Sequence, residues 1–469
     1  MDNTELVGKL WSLCNVLRDD GITFHQYLSE LSTLLFLKMA KETGTERPIP
    51  VGWRWSDLKA LKGKALLDHY RHLFTHLASH GSACVRSLFA NTRTDLSRAN
   101  SLEKLVLNID RLDWFSVRRE ALGNIYEGLL EKNATDKKSG AGQYFTPREL
   151  IDSIVSLIKP RFGECIQDPA AGTAGFLVAA HLWMGRTLRK TKSSKGSDHR
   201  LIGVELVPDV HRLGKMNLFL HGIEANFLLG DTLAEIGQTL PLADVVTTNP
   251  PFGSRKGGDL GRNDLPYPTS NKQFSFLQHV ITTLKPGGRA AVIVPDNVLF
   301  EDGKGTDIRK HLLNSCNVHT ILKLPTGLFY SQGVKTNVLF FTKQTDETRE
   351  TSDVWVYDLR TGVRAFGRTR PFSREYLAEF EKLYGKDPYG RSARSDQSAD
   401  GRFRRFSRVQ IAESGYSLNM TCVGAANKQM DSSAPYAHVM RAAEALKSAL
   451  DELETIAKRL QRSARAEVS

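Results

Sequence analysis

Apolar positions early in the chain recur at spacings of three and four, as in Phe24, Tyr27, Leu28, Leu31, Leu34, Leu35, Leu37 and Met39. That period is helical, and it predicts helices without a convincing strand from about residue 4 to 130. A last helix over 116–132 gives way to Ala134-Thr135-Asp136-Lys137-Lys138-Ser139-Gly140-Ala141-Gly142, a polar linker that closes a helical N-terminal domain at about 1–140. The rhythm then changes. Short apolar runs at 165–168, 201–205, 226–231, 243–248, 289–295, 319–324 and 337–342 alternate with helical patterns near 175–188, 209–221, 272–284 and 306–314. Strands alternating with helices predict a doubly wound α/β domain with a parallel sheet, over 141–345 and, with extensions, to about 425. Within it, Arg189-Lys190-Thr191-Lys192-Ser193-Ser194-Lys195 reads as a basic surface loop.

Beyond residue 356 the pattern weakens. Arg402, Arg404, Arg405 and Arg408 crowd a stretch at 390–408 that suits a solvated, partly disordered segment as well as a phosphate-binding surface. Over 436–462, Val439, Ala443, Leu446, Leu450, Leu453, Ala457 and Leu460 recur at alternating four and three. That narrow stripe is a coiled-coil seam and predicts a helix that packs on a partner helix.

Composition adds bounds. With 469 residues, 41% of them hydrophobic, the chain supports more than one sizeable core. No apolar run reaches membrane-spanning length, and the start Met1-Asp2-Asn3-Thr4-Glu5 has no basic-then-apolar leader, so a cytoplasmic protein is expected. Cys14, Cys84, Cys165, Cys316 and Cys422 are scattered and suggest neither a zinc site nor a disulfide framework; they read as small buried hydrophobes. The net charge of +12 favours a polyanionic partner.

The stretch richest in chemistry is Thr247-Thr248-Asn249-Pro250-Pro251-Phe252-Gly253, at the end of a predicted buried strand. Each proline fixes its own φ and pushes the residue before it out of the helical region, so Asn249 stands in stiff, extended backbone. A stiff amide oxygen, a neighbouring carbonyl and an aromatic face suit a planar ring bearing an NH2 group. A proline turn whose Phe252 plugs the core fits the same residues.

Ligands in open parallel sheets bind at the carboxyl ends of the strands. The first strand ends in Asp168-Pro169-Ala170-Ala171-Gly172-Thr173-Ala174-Gly175-Phe176. Gly172 and Gly175 permit close backbone approach, but Ala170 stands where a dinucleotide fingerprint needs glycine, and Asp168 suits an ammonium group better than a phosphate. Glu205 ends the second strand, placed for ribose hydroxyls, and Asp231 follows the third, placed for an adenine amine. An amino acid, a ribose and an adenine in one cleft describe S-adenosylmethionine. None of the cysteines follows a proline, which disfavours a cysteine-nucleophile route to C5 of cytosine.

Taken in order, Gly142-Gln143-Tyr144-Phe145-Thr146-Pro147, Asp168 to Phe176, Glu205, Asp231 and Asn249-Pro250-Pro251-Phe252 resemble the motif series of amino-methylating DNA methyltransferases. Similarity is greatest to the modification subunit of type I restriction-modification systems, and it extends to Leu322-Lys323-Leu324-Pro325-Thr326-Gly327, Thr336-Asn337 and Tyr416-Ser417-Leu418-Asn419. The resemblance implies a Rossmann-like S-adenosylmethionine-dependent domain in which Gln143, Tyr144, Phe145, Thr146 and Pro147 cover the methionine part of the cofactor. It implies that Asp168, Gly172, Thr173, Ala174, Gly175, Glu205 and Asp231 complete the cofactor site, and that Asn249, Pro250, Pro251 and Phe252 receive an adenine flipped out of double-stranded DNA for methylation at N6 without a metal. No base-reading module is evident, so recognition is expected from a specificity subunit docked on Val439, Leu446, Leu450, Leu453 and Leu460, with two copies of this chain per specificity subunit and a possible nuclease or translocase subunit. The alternatives are a stand-alone DNA adenine methyltransferase, or an enzyme of the same fold acting on ribosomal RNA or a protein glutamine.

Overall fold

The structure is a computed structural model that describes residues 3–13, 24–112, 114, 126, 128–129, 146–191, 200–255, 261–329, 334–345, 351–363, 366, 372–398 and 401–422. Residues Met1–Cys422 form one compact unit. The expected helix at 116–132 falls almost entirely outside the described residues, as do Gln143, Tyr144 and Phe145 and the whole stripe at 436–462.

The N-terminal part is helical as its period predicts, with helices Asn3–Ser12, Phe24–Thr43, Trp55–Ala60, Gly63–His80, Ala83–Phe89 and Ala99–Arg111. They bury Leu34, Phe36, Trp55, Tyr70, Phe74 and Phe89 in a core of their own. Glu30, deeply buried there, accepts hydrogen bonds from Tyr70 Oη (3.1 Å), Thr94 Oγ1 (2.9 Å) and the Asp95 N–H (2.6 Å). Burial raises its pKa, and those donors oppose the rise. Leu213, Met216 and Leu220 of the helix Pro208–Leu220 share that core, and Arg212 of the same helix donates to Ser29 Oγ and Thr33 Oγ1.

The rest is built on a nine-stranded sheet ordered β3-β2-β1-β4-β5-β7-β6-β8-β9. The strands are β1 Cys165–Asp168, β2 Arg200–Glu205, β3 Asn226–Leu229, β4 Ala243–Thr248, β5 Leu284–Pro295, β6 Cys316–Leu324, β7 Thr336–Lys343, β8 Asp353–Asp358 and β9 Phe403–Ser407. β3, β2, β1, β4 and β5 run parallel; β7 is antiparallel between β5 and β6. All seven expected strands are present, and helices Gly175–Thr191, Pro208–Leu220, Lys272–Thr283 and Lys304–Ser315 lie where the helical patterns were. Because the first of these runs to Thr191, the stretch read as a basic loop from 189 begins inside a helix. β5 and β7 are buried on both faces, which is why they read as unbroken apolar runs.

The described part of the Arg-rich stretch is ordered, unlike the partly disordered segment that one of its sequence readings allowed. It contributes β9, antiparallel to β8 at the sheet edge. Arg394 points inward, donating to the His319 carbonyl (3.1 Å) and Thr320 Oγ1 (2.9 Å) with its guanidinium 5.0 Å from the Tyr384 ring centre. Three of the four described cysteines are buried as expected, and Cys84 is exposed.

One buried ion pair braces the site from below. Arg289 of β5 donates through Nε to the Ile158 carbonyl (2.6 Å) and through its fork to both oxygens of Glu164 (2.9 and 3.0 Å). It thereby anchors the C-terminus of the helix Arg148–Ile158, whose other end leads from Thr146 and Pro147.

Candidate active site

In the sheet order β1 lies beside β4, while β2 and β3 lie to one side and β5 onward to the other. The chain therefore leaves the carboxyl ends of β1 and β4 in opposite directions, opening a crevice at the switch point. A cavity of about 670 Å³ occupies it, with Thr146, Asp168, Glu205, Asp231, Asn249 and Arg255 among its lining residues. That volume is typical of a site for a small organic ligand.

The turn after β1 forms the floor. Asp168 Oδ1 accepts from the Ala170 N–H (3.1 Å), the Ala171 N–H donates to the Val204 carbonyl (2.9 Å), and the Gly172 N–H donates to Glu205 Oε2 (3.0 Å). Gly172 has φ 55° and Ala174 has φ 64°. Left-handed backbone at an alanine is strained and persists only where its surroundings impose it. Here Ala174 is fully buried and its N–H is held by the Ala171 carbonyl at 2.8 Å. The reward is a tight turn that places Thr173 and Gly175 against the cavity and starts the helix Gly175–Thr191.

The acids are not ordinary surface carboxylates. Burial pushes Asp168 up to about 7. Burial also raises Glu205, against the pull of the Val207 (2.7 Å) and Gly172 N–H groups on its two oxygens. Asp231 Oδ1 accepts from the Leu233 N–H (2.8 Å), and its Oδ2 pairs with Arg255 Nη2 (2.8 Å). Each carboxylate keeps unused lone pairs for a ligand.

The wall opposite is the loop after β4. Asn249 Nδ2 donates to Thr146 Oγ1 at 3.0 Å, so the end of the 143–147 motif and the Asn-Pro-Pro-Phe loop meet directly. Asn249 Oδ1 is buried and has no hydrogen-bond partner among the described residues. Past the prolines the loop is fastened to the helix Lys272–Thr283. The Gly253 N–H donates to Gln273 Oε1 (2.9 Å), the Lys272 N–H to the Gly253 carbonyl (2.9 Å), and the Arg255 N–H to the Ser270 carbonyl (2.8 Å). Pro251 lines the cavity, Pro250 is buried, and Phe252 is half-buried against the core.

Of the residues singled out from sequence and described here, Thr146, Asp168, Gly172, Thr173, Gly175, Glu205, Asp231, Asn249 and Pro251 all line this cavity. Ala174 and Pro147 support it from behind, the latter by accepting at its carbonyl from the Ile151 N–H (3.1 Å). Sequence reasoning missed its cations: Arg148, Arg255 and Lys272 also line it. Arg255 lies just past Gly253, and nothing in its spacing reveals that it turns back onto Asp231.

The sheet order, the acids at its first three strand ends and the amide loop at the fourth define an α/β enzyme of the amino-methyltransferase class. Residues 117–431 match the family described as N-6 DNA Methylase. The chain is 50% identical over 418 residues to the StySPI methylase subunit of Salmonella potsdam, a type I restriction enzyme subunit, covering 84% of this chain and 79% of that one. The EcoKI methylase subunit of Escherichia coli K12 matches to the same extent. The crystal structure of the EcoKI M protein matches at 43% identity over 97% of this chain and 96% of that one, with a TM-score of 0.58. A chain from a type I R-M system, described for its complex assembly and conformational transition, matches at 26% identity and a TM-score of 0.72, covering 97% and 98%. This chain therefore belongs to the N-6 DNA methylases, as a type I modification subunit, and is an adenine-specific DNA methyltransferase. Among the described residues no helix is long and apolar enough to cross a membrane.

Proposed function

We propose that the cavity binds S-adenosylmethionine and that the Asn249 loop holds an adenine flipped out of DNA, while a separate specificity subunit selects the sequence. The observation that carries this is Asn249 Oδ1, a buried acceptor without a partner among the described residues, on an amide whose other end is fixed by Thr146. A buried acceptor left empty is costly, and a ligand N–H removes the cost. The acids fit the cofactor on the same grounds: Asp168 is poorly solvated and gains from a cationic ammonium, and Glu205 and Asp231 retain acceptor capacity for hydroxyls and an amine.

S-adenosylmethionine, when bound, supplies an electrophilic methyl group. The chain's own work falls on the amine of the target base. Asn249 Oδ1 accepts one N6 hydrogen and the Pro250 carbonyl the other, which draws the nitrogen lone pair out of conjugation with the ring. Transfer would break the cofactor's S–CH3 bond, leaving a neutral thioether, and form the N6–CH3 bond, while N6 would release one of those hydrogens as a proton to solvent. The prolines keep both acceptors from relaxing, so the arrangement is paid for in folding rather than at each turnover. Phe252 offers a face for the extruded base, since the target amine lies inside a base pair until the nucleotide is flipped.

Asn249→Ala is expected to abolish formation of N6-methyladenine by the chain in complex with its specificity subunit, read by nucleoside mass spectrometry, and to change the chain's cofactor affinity by less than about threefold by calorimetry. Loss of both would mean that Asn249 belongs to the cofactor site. Docking through Val439, Leu446, Leu450, Leu453 and Leu460, with two copies per specificity subunit, is part of the same proposal and is supported by the heptad spacing of those residues.

A further inference from the structure

We infer that Arg255 is a positioning residue, which aims the carboxylate that reads the cofactor's adenine and ties it to the loop that holds the target base. The inference rests on the assignment of Asp231 to the cofactor adenine proposed above. Arg255 is largely buried, at 16% side-chain exposure against 34% for Asp231. Its Nη2 donates at 2.8 Å to Asp231 Oδ2 and at 2.9 Å to the Leu233 carbonyl. Two acceptors on one turn fix the guanidinium in one orientation, unlike a floating surface pair. Since the Leu233 N–H holds Asp231 Oδ1, both carboxylate oxygens are set before any ligand arrives.

The backbone of Arg255 belongs to the other half of the site. Ser254 bridges to Asn271, and the Arg255 N–H donates to the Ser270 carbonyl, immediately after the Gly253 that ends the amide loop. A second arginine on the same segment grips the same turn. Arg262, 5% exposed, donates from Nη1 to the Thr232 carbonyl (3.3 Å) and to Nδ1 of His279 (2.7 Å), which burial keeps neutral with a pKa near 3. Thr232 Oγ1 in turn donates to the Pro169 carbonyl in the floor of the cavity (2.6 Å). The turn after β3 is thus held from both ends of the segment that follows the target loop. Any shift of Asp231 towards a ligand is transmitted to Ser254 and Gly253. Coupling of this kind is reciprocal, so each ligand sharpens the other's site.

The test titrates S-adenosylhomocysteine, and its deaminated analogue with a ring carbonyl in place of the exocyclic amine, into the full chain by calorimetry. Arg255→Ala is expected to lower the preference for the amine-bearing ligand by about tenfold, the size of one well-aimed charge-assisted hydrogen bond, and Arg255→Lys to restore part of it. Equal weakening of both ligands, or no change in their ratio, overturns the inference; if Arg255→Ala does not fold, Arg255→Lys is judged by the same ratio, expected to lie below that of the unaltered chain. Asp231→Asn separates the two claims. If it leaves the ratio unchanged, the assignment of Asp231 to the adenine fails. If it collapses the ratio while the Arg255 variants do not, only the role of Arg255 fails.

Discussion

Asp168 shows how one side chain trades stability for binding. Its carboxyl is 1% exposed and titrates near 7, so the folded chain without ligand holds a proton there that an unfolded chain has already lost. Between the ordinary carboxylate range and about pH 7, the native state binds more protons than the unfolded one, and stability falls as pH rises. The slope is at most about 1.4 kcal/mol per pH unit. Buried histidines such as His279 and His319, held neutral with pKa about 3 against an ordinary 6.5, add the opposite slope. The contribution of Asp168 is therefore read in thermal melts from pH 5 to 8 as the difference between the ligand-free chain and Asp168→Asn, expected to fall as pH rises, while the variant weakens the cofactor more than tenfold at pH 8. A variant melting with the same pH dependence as the wild type would show that the burial of this acid adds no such slope. The sequence offers Asp168 as a candidate ligand for an ammonium group, but its pKa is not legible there, because that depends on burial by β2 and β4 on either side.

At the scale of elements, the sheet was legible as far as β7 and no further. Runs such as Ala290 to Val294 and Val338 to Phe341 are apolar at every position because successive residues enter the cores on opposite faces of the sheet. β9 reads Phe403-Arg404-Arg405-Phe406-Ser407, and its arginines disguise it. It is an edge strand, where charge prevents pairing with other chains, so what suits the position hides the strand. Arg404 lies over the Phe406 ring at 5.3 Å, and Arg405 stays exposed. Arg394→Ala should therefore cost about 1–3 kcal/mol in denaturant unfolding, because it strips donors from buried acceptors. Arg405→Ala should change stability by less than about 0.5 kcal/mol. Neither is expected to alter the affinity of the methylating complex for DNA; a shared loss of affinity would favour the phosphate-binding surface that the sequence also allowed.

For the whole molecule, the described residues of the motif series meet at one cavity, since successive strand ends of a parallel sheet converge on one edge. What the order of motifs could not convey is how the separate pieces touch: Thr146 on Asn249, Glu205 on the Gly172 turn, Arg255 on Asp231. Those contacts join residues far apart in the chain and follow from packing alone. The division of labour is a matter of the assembly. A chain with net charge +12 meets DNA readily, yet charge attracts every sequence alike.

The most direct measurement is of the product. Unmodified DNA is incubated with S-adenosylmethionine and either the purified chain alone or the chain copurified with its specificity subunit, then analysed by nucleoside mass spectrometry and methylation sequencing. N6-methyladenine confined to one sequence, formed by the complex and not by the chain alone, is the predicted result. A methyl group on cytosine, or sequence-specific methylation at full rate by the chain alone, would contradict it.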